Sequence, residues 1–247
     1  MNARRVAALL LASLALAGCG GGSHGAERGN TGTARLWITR DRGATLLVNT
    51  TVPAGETLMR ALRLHAKVET RYGGRFVVEI NGVRGSLSAR HDWFWFVNGL
   101  AGDTSAAEYR LHAGDVAWWD YRDWTDDPDL AVVVGAFPEP FLHGFGGVKR
   151  PVAVRYAMPS QRAAALRIAR LLHASSVGRW RLGVPGPAGA NVFDLDLDHG
   201  TALPIQIQLT ALQRKPGAGP RSPIEFEFSG DVDKLLSGAY TRRFSVP

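Results

Sequence analysis

Alternating apolar and polar residues predict a strand hairpin at the start of the folded part of the chain. Residues 35–39 (RLWIT) alternate, Asp41-Arg42-Gly43 has the composition of a turn, and residues 44–51 (ATLLVNTT) are again rich in β-favouring side chains. Pro53-Ala54-Gly55 then interrupts the pattern. We therefore expect two neighbouring antiparallel strands, followed by a break in regular structure.

A helical pattern follows this break. Thr57 is a favourable N-cap residue, and apolar positions in residues 58–65 (LMRALRLH) recur at helical spacing. The residues expected on one side of this helix are Leu58, Ala61, Leu62 and His65.

Three further strands are predicted after the helix, over residues 76–80, over the aromatic run from residue 91, and over residues 116–121. The first two end in Asn-Gly, at 81–82 and 98–99, the dipeptide that two-residue hairpin turns favour. Two strands, a helix and then more strands is a β-grasp-like order. The fold class expected from it is α+β, with a mixed sheet and one helix in the first half.

The aromatic run HDWFWFVNG, residues 91–99, raises the main question of the sequence. Because successive side chains of a strand point to opposite faces, Trp93, Trp95 and Val97 share one face and Phe94 and Phe96 share the other. Both faces are apolar. Either the strand is buried on both sides, or one face presents a ladder of tryptophans to a ligand.

The second half is expected to form another small α+β domain. Asp126-Asp127-Pro128-Asp129 breaks the pattern, and residues 138–147 (PEPFLHGFGG) are too rich in Pro and Gly for regular structure. A helix is predicted from Pro159 through QRAAALRIARLLH, with a buried stripe of Ala165, Ile168, Ala169 and Leu172 and with Arg162, Arg167 and Arg170 away from it. Strands are predicted over residues 130–137, 151–156, 180–184, 192–197, 205–212 and 224–228.

The first 19 residues are organised like an export leader. Two arginines precede an apolar stretch, residues 6–17, that is too short to span a membrane. Leu16-Ala17-Gly18-Cys19 resembles the lipobox of bacterial lipoproteins, which implies cleavage before Cys19 and lipidation of its thiol. We expect a signal peptide over residues 1–18, a flexible tether over residues 19–33, and a mature protein attached by lipid to the outer side of the cell membrane.

The domain boundaries expected from these patterns are 34–125 for the first domain and 130–247 for the second. Lys and Arg number 29 against 22 Asp and Glu, a net charge of +7. Removing residues 1–18 removes two arginines and no acid, so 27 against 22 leaves +5. No run of basic residues concentrates this charge, and nucleic acid is not an expected partner.

Motifs of several enzyme classes are missing from the sequence. HExxH, GxxxxGK[ST], SxxK and CxxC do not occur, and no two of the seven histidines have the spacing of metal ligands. We therefore expect a protein that is not an enzyme and that requires no cofactor.

Asp194, Asp196 and Asp198 alternate with leucines and so share one face of a predicted strand. Oxygen clusters of this kind bind hard cations such as Ca²⁺, and a pair such as Asp194 and Asp196 could act as acid and base in a carboxylate-dependent hydrolase. A solvated acidic strand face is the more ordinary interpretation of the same pattern.

Aromatic residues are the main candidates for ligand binding, because such rings stack on flat ligands, sugar faces and cations. The candidate set is Trp93, Trp95, Asn98, Trp118, Trp119, Tyr121 and Trp124. The alternation of faces means that these rings cannot all pack on the helix. One set must face residues 130–247, a ligand or a partner.

Four short motifs in order carry a family resemblance. They are residues 52–58 (VPAGETL), 80–82 (ING), 93–99 (WFWFVNG) and 114–118 (GDVAW). Their order and spacing resemble the transcobalamin C-terminal-like domain of bacterial surface lipoproteins, often catalogued as a domain of unknown function, over about residues 35–124.

The resemblance implies a small β-rich fold and an aromatic-rich sheet edge that meets a ligand or another protein. In vertebrate transcobalamin and intrinsic factor, the related domain caps a corrinoid held against a large helical barrel. Only two helices are predicted here, so that barrel is not expected, although a cobalamin-like ligand stays among the candidates.

Three functions remain open from the sequence. The first is a non-enzymatic, lipid-anchored binding protein whose ligand is a small planar molecule, a glycan or an envelope partner protein. The second is a structural or adhesion scaffold of the cell envelope, and the third is the carboxylate-dependent hydrolase.

Overall fold

The computed structural model describes residues 32–125, 132–181, 184–195 and 219–244. Cys19 and the leader, Asp196, Asp198 and the strand predicted over 205–212 lie outside these residues. Within the described residues, no helix has both the length and the apolar composition needed to cross a membrane.

The secondary structure of the first half consists of eight strands and one helix. They are β1 (Thr33–Arg40), β2 (Thr45–Pro53), α1 (Leu58–His65), β3 (Val68–Arg71), β4 (Phe76–Ile80), β5 (Val83–Arg84), β6 (His91–Val97), β7 (Leu100–Ala101) and β8 (Val116–Asp123). The described part of the second half contains α2 (Val133–Ala136), β9 (Val152–Tyr156), α3 (Arg162–Leu171), β10 (Ser176–Arg179), β11 (Asn191–Leu195), β12 (Glu225–Phe228) and α4 (Val232–Leu236).

A mixed five-stranded sheet organises the first half, in the order β2-β1-β8-β6-β7. β1 runs parallel to β8, and the other neighbouring strands are antiparallel. Helix α1 begins after Thr57, whose hydroxyl accepts a hydrogen bond from the Arg60 backbone N–H, and its residues Leu58, Met59, Ala61 and Leu62 are buried. The predicted β-grasp-like arrangement is confirmed. His65, expected on the same side of the helix as these apolar residues, is exposed.

A second, three-stranded sheet has the order β3-β4-β5. The predicted Asn-Gly turns are confirmed: Asn81 and Gly82 have φ of 51° and 83°, and Asn98 and Gly99 have φ of 53° and 80°. The first turn, however, joins β4 to the two-residue strand β5, not to the aromatic strand. Strand β3 was not predicted, because its sequence lacks a clear alternation of apolar and polar residues.

The second half contains a parallel sheet in the order β10-β9-β11-β12. Helix α3 buries the predicted stripe of Ala165, Ile168, Ala169 and Leu172 against the core. The α+β fold class expected from the sequence is therefore confirmed.

Two predicted strands of this half are wrong. Within residues 130–137, the chain forms the short helix α2, because a run of apolar residues suits a buried helical turn as well as a strand. The Val132 N–H donates to the Gly99 carbonyl at 2.7 Å, which ties this run to the first half. The strand predicted from Trp180 lies earlier in the chain, as β10. It pairs with β9 only as far as Arg179, opposite Tyr156.

The two faces of strand β6 pack into two different apolar clusters. Trp93 and Val97 belong to the main core, which also contains helix α1. On the opposite face Phe96 is fully buried in a second cluster with Trp118, and Val132 and Phe244 from the second half complete that cluster. Apolar residues therefore pack on both faces of strand β6. On the Phe96 face, some of these residues come from the second half.

The Asp194 carboxylate corrects the expectation of a solvated acidic face. Asp194 is buried, and it accepts two hydrogen bonds from Arg155, from Nε at 2.7 Å and from Nη2 at 2.5 Å. Arg155 also pairs with Glu225. Burial nevertheless raises the pKa of Asp194 to about 6. This carboxylate neutralises a buried arginine and does not face solvent.

Candidate functional site: an aromatic groove on the small sheet

Four of the seven candidate residues from the sequence are buried, namely Trp93, Asn98, Trp118 and Trp119. Trp95, Tyr121 and Trp124 are half-buried. Pairs of strand neighbours bring the rings together, as in Trp93 and Tyr121, whose centroids are 5.3 Å apart. Most of this aromatic group therefore builds the core of the first half.

Asn98 joins the two halves of the chain. Its side-chain amide donates to Asp115 at 2.8 Å and to the Gly144 carbonyl at 2.6 Å, and its carbonyl oxygen accepts from the Val116 N–H. Asp115 also accepts hydrogen bonds from the Tyr109 hydroxyl and the His112 N–H. Both N–H donors and the carbonyl oxygen of the Asn98 amide group thus take part in structural hydrogen bonds.

Trp118 belongs to a buried hydrogen-bonded chain. Its indole N–H donates to the Thr39 hydroxyl at 2.8 Å, and that hydroxyl donates to Asp120. Asp120 also accepts from the Gly43 N–H at 3.0 Å. Burial raises the pKa of Asp120 to about 6, against the opposing effect of these hydrogen bonds. The network fixes β1 against β8.

An open concavity lies on the small sheet, in a part of the first half that carried no predicted site residue. We call it the aromatic groove. It is a cavity of about 300 Å³ lined by Arg71, Tyr72, Phe76, Val78, Arg84, Gly85, Leu87 and Asp92. Three of its apolar side chains are strongly exposed: Tyr72 at 76%, Phe76 at 44% and Leu87 at 81%.

Local backbone conformation places Tyr72 at the rim of the groove. Tyr72 has a φ of 52° and is followed by Gly73 and Gly74, also at positive φ, in a short turn between β3 and β4. The Tyr72 and Phe76 rings meet edge to face, with centroids 6.3 Å apart. Exposed apolar side chains gathered in a concavity are typical of a binding surface.

Asp92 provides the carboxylate of the groove. Its Oδ1 accepts the Trp93 backbone N–H at 2.8 Å, and burial raises its pKa above the ordinary value. Gly85 leaves room for this carboxylate, because a Cβ at that position would lie 2.4 Å from Oδ1 and would displace the Asp92 side chain. Arg84 is held on the same wall by ion pairs with Glu69 and Glu79.

A second cavity of about 260 Å³, here called the inner chamber, adjoins the groove. The two cavities share Phe76 and Asp92. The remaining lining of the chamber is Arg75, Val77, Trp93, Phe94, Trp95, Phe96, Ala101, Gly102, Thr104, Ser105, Ala106 and Trp119.

Trp95 forms a wall of the inner chamber. Its ring lies directly over Gly102, where an added Cβ would come within 2.0 Å of the indole, and 5.7 Å from the Tyr109 ring. Trp95 was proposed from the sequence as a ligand-binding residue, and in the structure it is half-buried and lines a cavity.

The sequence contained a weak signal for the groove. Tyr72 precedes two glycines and Phe76 begins a strand, but neither residue belongs to the aromatic runs at 93–96 and 118–124. Their exposure depends on how the small sheet packs beside the main one, which no local pattern indicates. In the described part of the chain, no group of three or more His, Cys, Asp or Glu side chains is placed to hold a metal ion.

The family comparison matches part of the first half. The family described as a domain of unknown function (DUF4430) matches residues 55–123, which include every residue lining the groove and the chamber. A candidate metal-binding protein from Ruminococcus gnavus ATCC 29149 is 15% identical, with a TM-score of 0.32, over 37% of this chain and 97% of that protein.

Haptocorrin, solved in complex with Cbi, is 16% identical over 37% of this chain, with a TM-score of 0.31. This chain spans a quarter of the haptocorrin chain. No curated protein matches.

Proposed function

We propose that this chain is a non-enzymatic, lipid-anchored binding protein that takes its ligand in the aromatic groove outside the cell membrane. The observation that carries the proposal is the exposure of Tyr72, Phe76 and Leu87 around a concavity that also contains the Asp92 carboxylate. Such a surface suits a ligand with a flat or apolar face and a hydrogen-bond donor, such as a small planar ring system or a glycan. The Leu16–Cys19 motif supports the lipid anchor.

The experiment is mass spectrometry of small molecules that copurify with the full lipidated chain extracted in detergent. We expect a ligand signal that falls at least tenfold in a Tyr72→Ala, Phe76→Ala variant. The matched control is Leu64→Ala, which removes a 59% exposed apolar side chain from helix α1. Equal ligand retention by wild type, groove variant and control would refute binding in the groove.

A structural or adhesion scaffold of the envelope is the second candidate. The observation that favours it is the burial of Trp93, Trp118 and Trp119, together with the apolar cluster shared by the two halves. A scaffold would retain adhesion or envelope integrity in cells that carry the groove variant. A binding protein would lose its function in the same cells.

A further inference from the structure

The inner chamber contains a hydrogen-bond donor that the described protein does not use. Trp119 lines the chamber and is only 2% exposed. Across the described residues, its indole Nε1 has no acceptor within hydrogen-bond reach. A buried donor without a partner is unfavourable, so an oxygen that reached it would gain more than one bound at the surface.

Other buried tryptophans of this chain show that the fold can satisfy indole N–H groups. Trp93 donates to the Val83 carbonyl at 2.8 Å, Trp118 donates to Thr39 at 2.8 Å and Trp37 donates to Asn49 at 3.1 Å. Trp119 differs from these three because its N–H has no partner among the described residues, although it lines the same chamber as Trp93. The unpaired indole therefore points to a bound group that carries an acceptor.

The chamber and the aromatic groove lie side by side, because Phe76 and Asp92 line both cavities. A ligand long enough to extend past these two residues from one cavity into the other would meet apolar ring faces on the groove side. It meets Asp92 in the middle and the Trp119 indole on the chamber side. An alternation of stacking surfaces and polar anchors fits a chain of sugar rings better than a single flat molecule.

We propose that the groove and the inner chamber together bind a linear oligosaccharide, and that the Trp119 Nε1–H donates to the carbonyl of an N-acetyl group on one sugar. Sugar faces stack on Tyr72 and Phe76, and sugar hydroxyls donate to Asp92. This inference rests on the proposed function and adds the class of ligand and the residue that selects it.

The probes are β-1,4-linked N-acetylglucosamine oligomers of one to six units, titrated calorimetrically into the full chain. Glucose oligomers with the same linkage are the matched ligands, because they lack only the acetamido group. We expect affinity to rise at least about tenfold between the single sugar and the tetramer, since only the longer chain reaches both cavities. We also expect the N-acetyl tetramer to bind about tenfold more tightly than the glucose tetramer.

The decisive variant is Trp119→Phe, which removes the N–H and keeps an aromatic ring. We expect it to abolish the preference for the N-acetyl tetramer, so that the two tetramers bind with similar affinity, whereas Tyr72→Ala weakens both and keeps the preference. If Trp119→Phe fails to fold, the indole N–H resonance of Trp119 in the wild type serves instead, and it should shift when the N-acetyl tetramer is added.

Two results would overturn the inference: equal affinity for both tetramers, or a preference that survives Trp119→Phe with an unmoved indole resonance. A copurifying ligand that is not a saccharide, yet is lost from the Tyr72→Ala, Phe76→Ala variant, would refute the oligosaccharide while supporting the proposed function. If no copurifying ligand depends on Tyr72 and Phe76, the proposed function itself fails.

Discussion

The substitution Phe244→Ala tests how the outer face of the main sheet is covered. Phe244 is 5% exposed, and its ring lies 5.0 Å from the Trp118 ring and 5.8 Å from the Phe96 ring. The Arg122 guanidinium carbon also lies 5.1 Å from its centre. Burial of roughly 150 Å² at about 25 cal/mol per Å² amounts to about 4 kcal/mol. Measured Phe→Ala losses in cores, about 3–5 kcal/mol, agree with this value.

The assay is urea-induced unfolding of the full chain, followed by tryptophan fluorescence because Trp118 lies in the affected cluster. We expect the free energy of unfolding to fall by about 4 kcal/mol in Phe244→Ala. Tyr72→Ala is the matched control, since its ring is 76% exposed, and should change the free energy by no more than about 0.5 kcal/mol. A loss below about 1 kcal/mol in Phe244→Ala would refute the packing of the second half on this face.

Three further predictions concern other parts of the fold. Gly102→Ala should displace the Trp95 ring and cost about 1–3 kcal/mol of unfolding free energy by urea titration, whereas Gly178→Ala, with no atom within 4 Å of the new Cβ, should cost less than about 1 kcal/mol. Because the pKa of Asp120 rises from 3.8 to about 6 on folding, its contribution to stability is present below pH 4 and is lost as pH rises through 6. Asp120→Asn should therefore gain about 3 kcal/mol relative to wild type between pH 4 and pH 7 in the same assay, and a constant difference would contradict the shift. Arg155→Met leaves the buried Asp194 carboxylate without its counter-charge and should lower the free energy of unfolding at pH 7 by about 3–5 kcal/mol; a loss below about 1 kcal/mol would contradict this ion pair.

The first half was largely predictable because its signals are local. The Thr57 cap, the two Asn-Gly turns and the alternation of β6 each depend on neighbouring residues, and the structure has all of them. The alternation also indicated that one face of β6 would need a second cover. The sequence could not indicate which residues would cover that face, because Phe244 is far from β6 in the chain.

Long-range pairing explains the remaining differences. Asp194 alternates with leucines as a solvated residue would. It is nevertheless buried, because its ion pair with Arg155 on the neighbouring strand β9 offsets the cost of removing its charge from water. The run at Val133–Ala136 is apolar enough for either a strand or a helix, and its contact with Gly99 decides between them. The aromatic groove was missed for a related reason, since the exposure of Tyr72 and Phe76 depends on tertiary structure.

The most direct test of ligand binding in the aromatic groove is a crystal structure of the full mature protein purified with whatever ligand it retains. We expect electron density for the ligand between Tyr72, Phe76 and Leu87, with a polar group beside Asp92. Density for a ligand elsewhere on the chain, with the groove filled only by solvent, would contradict the account.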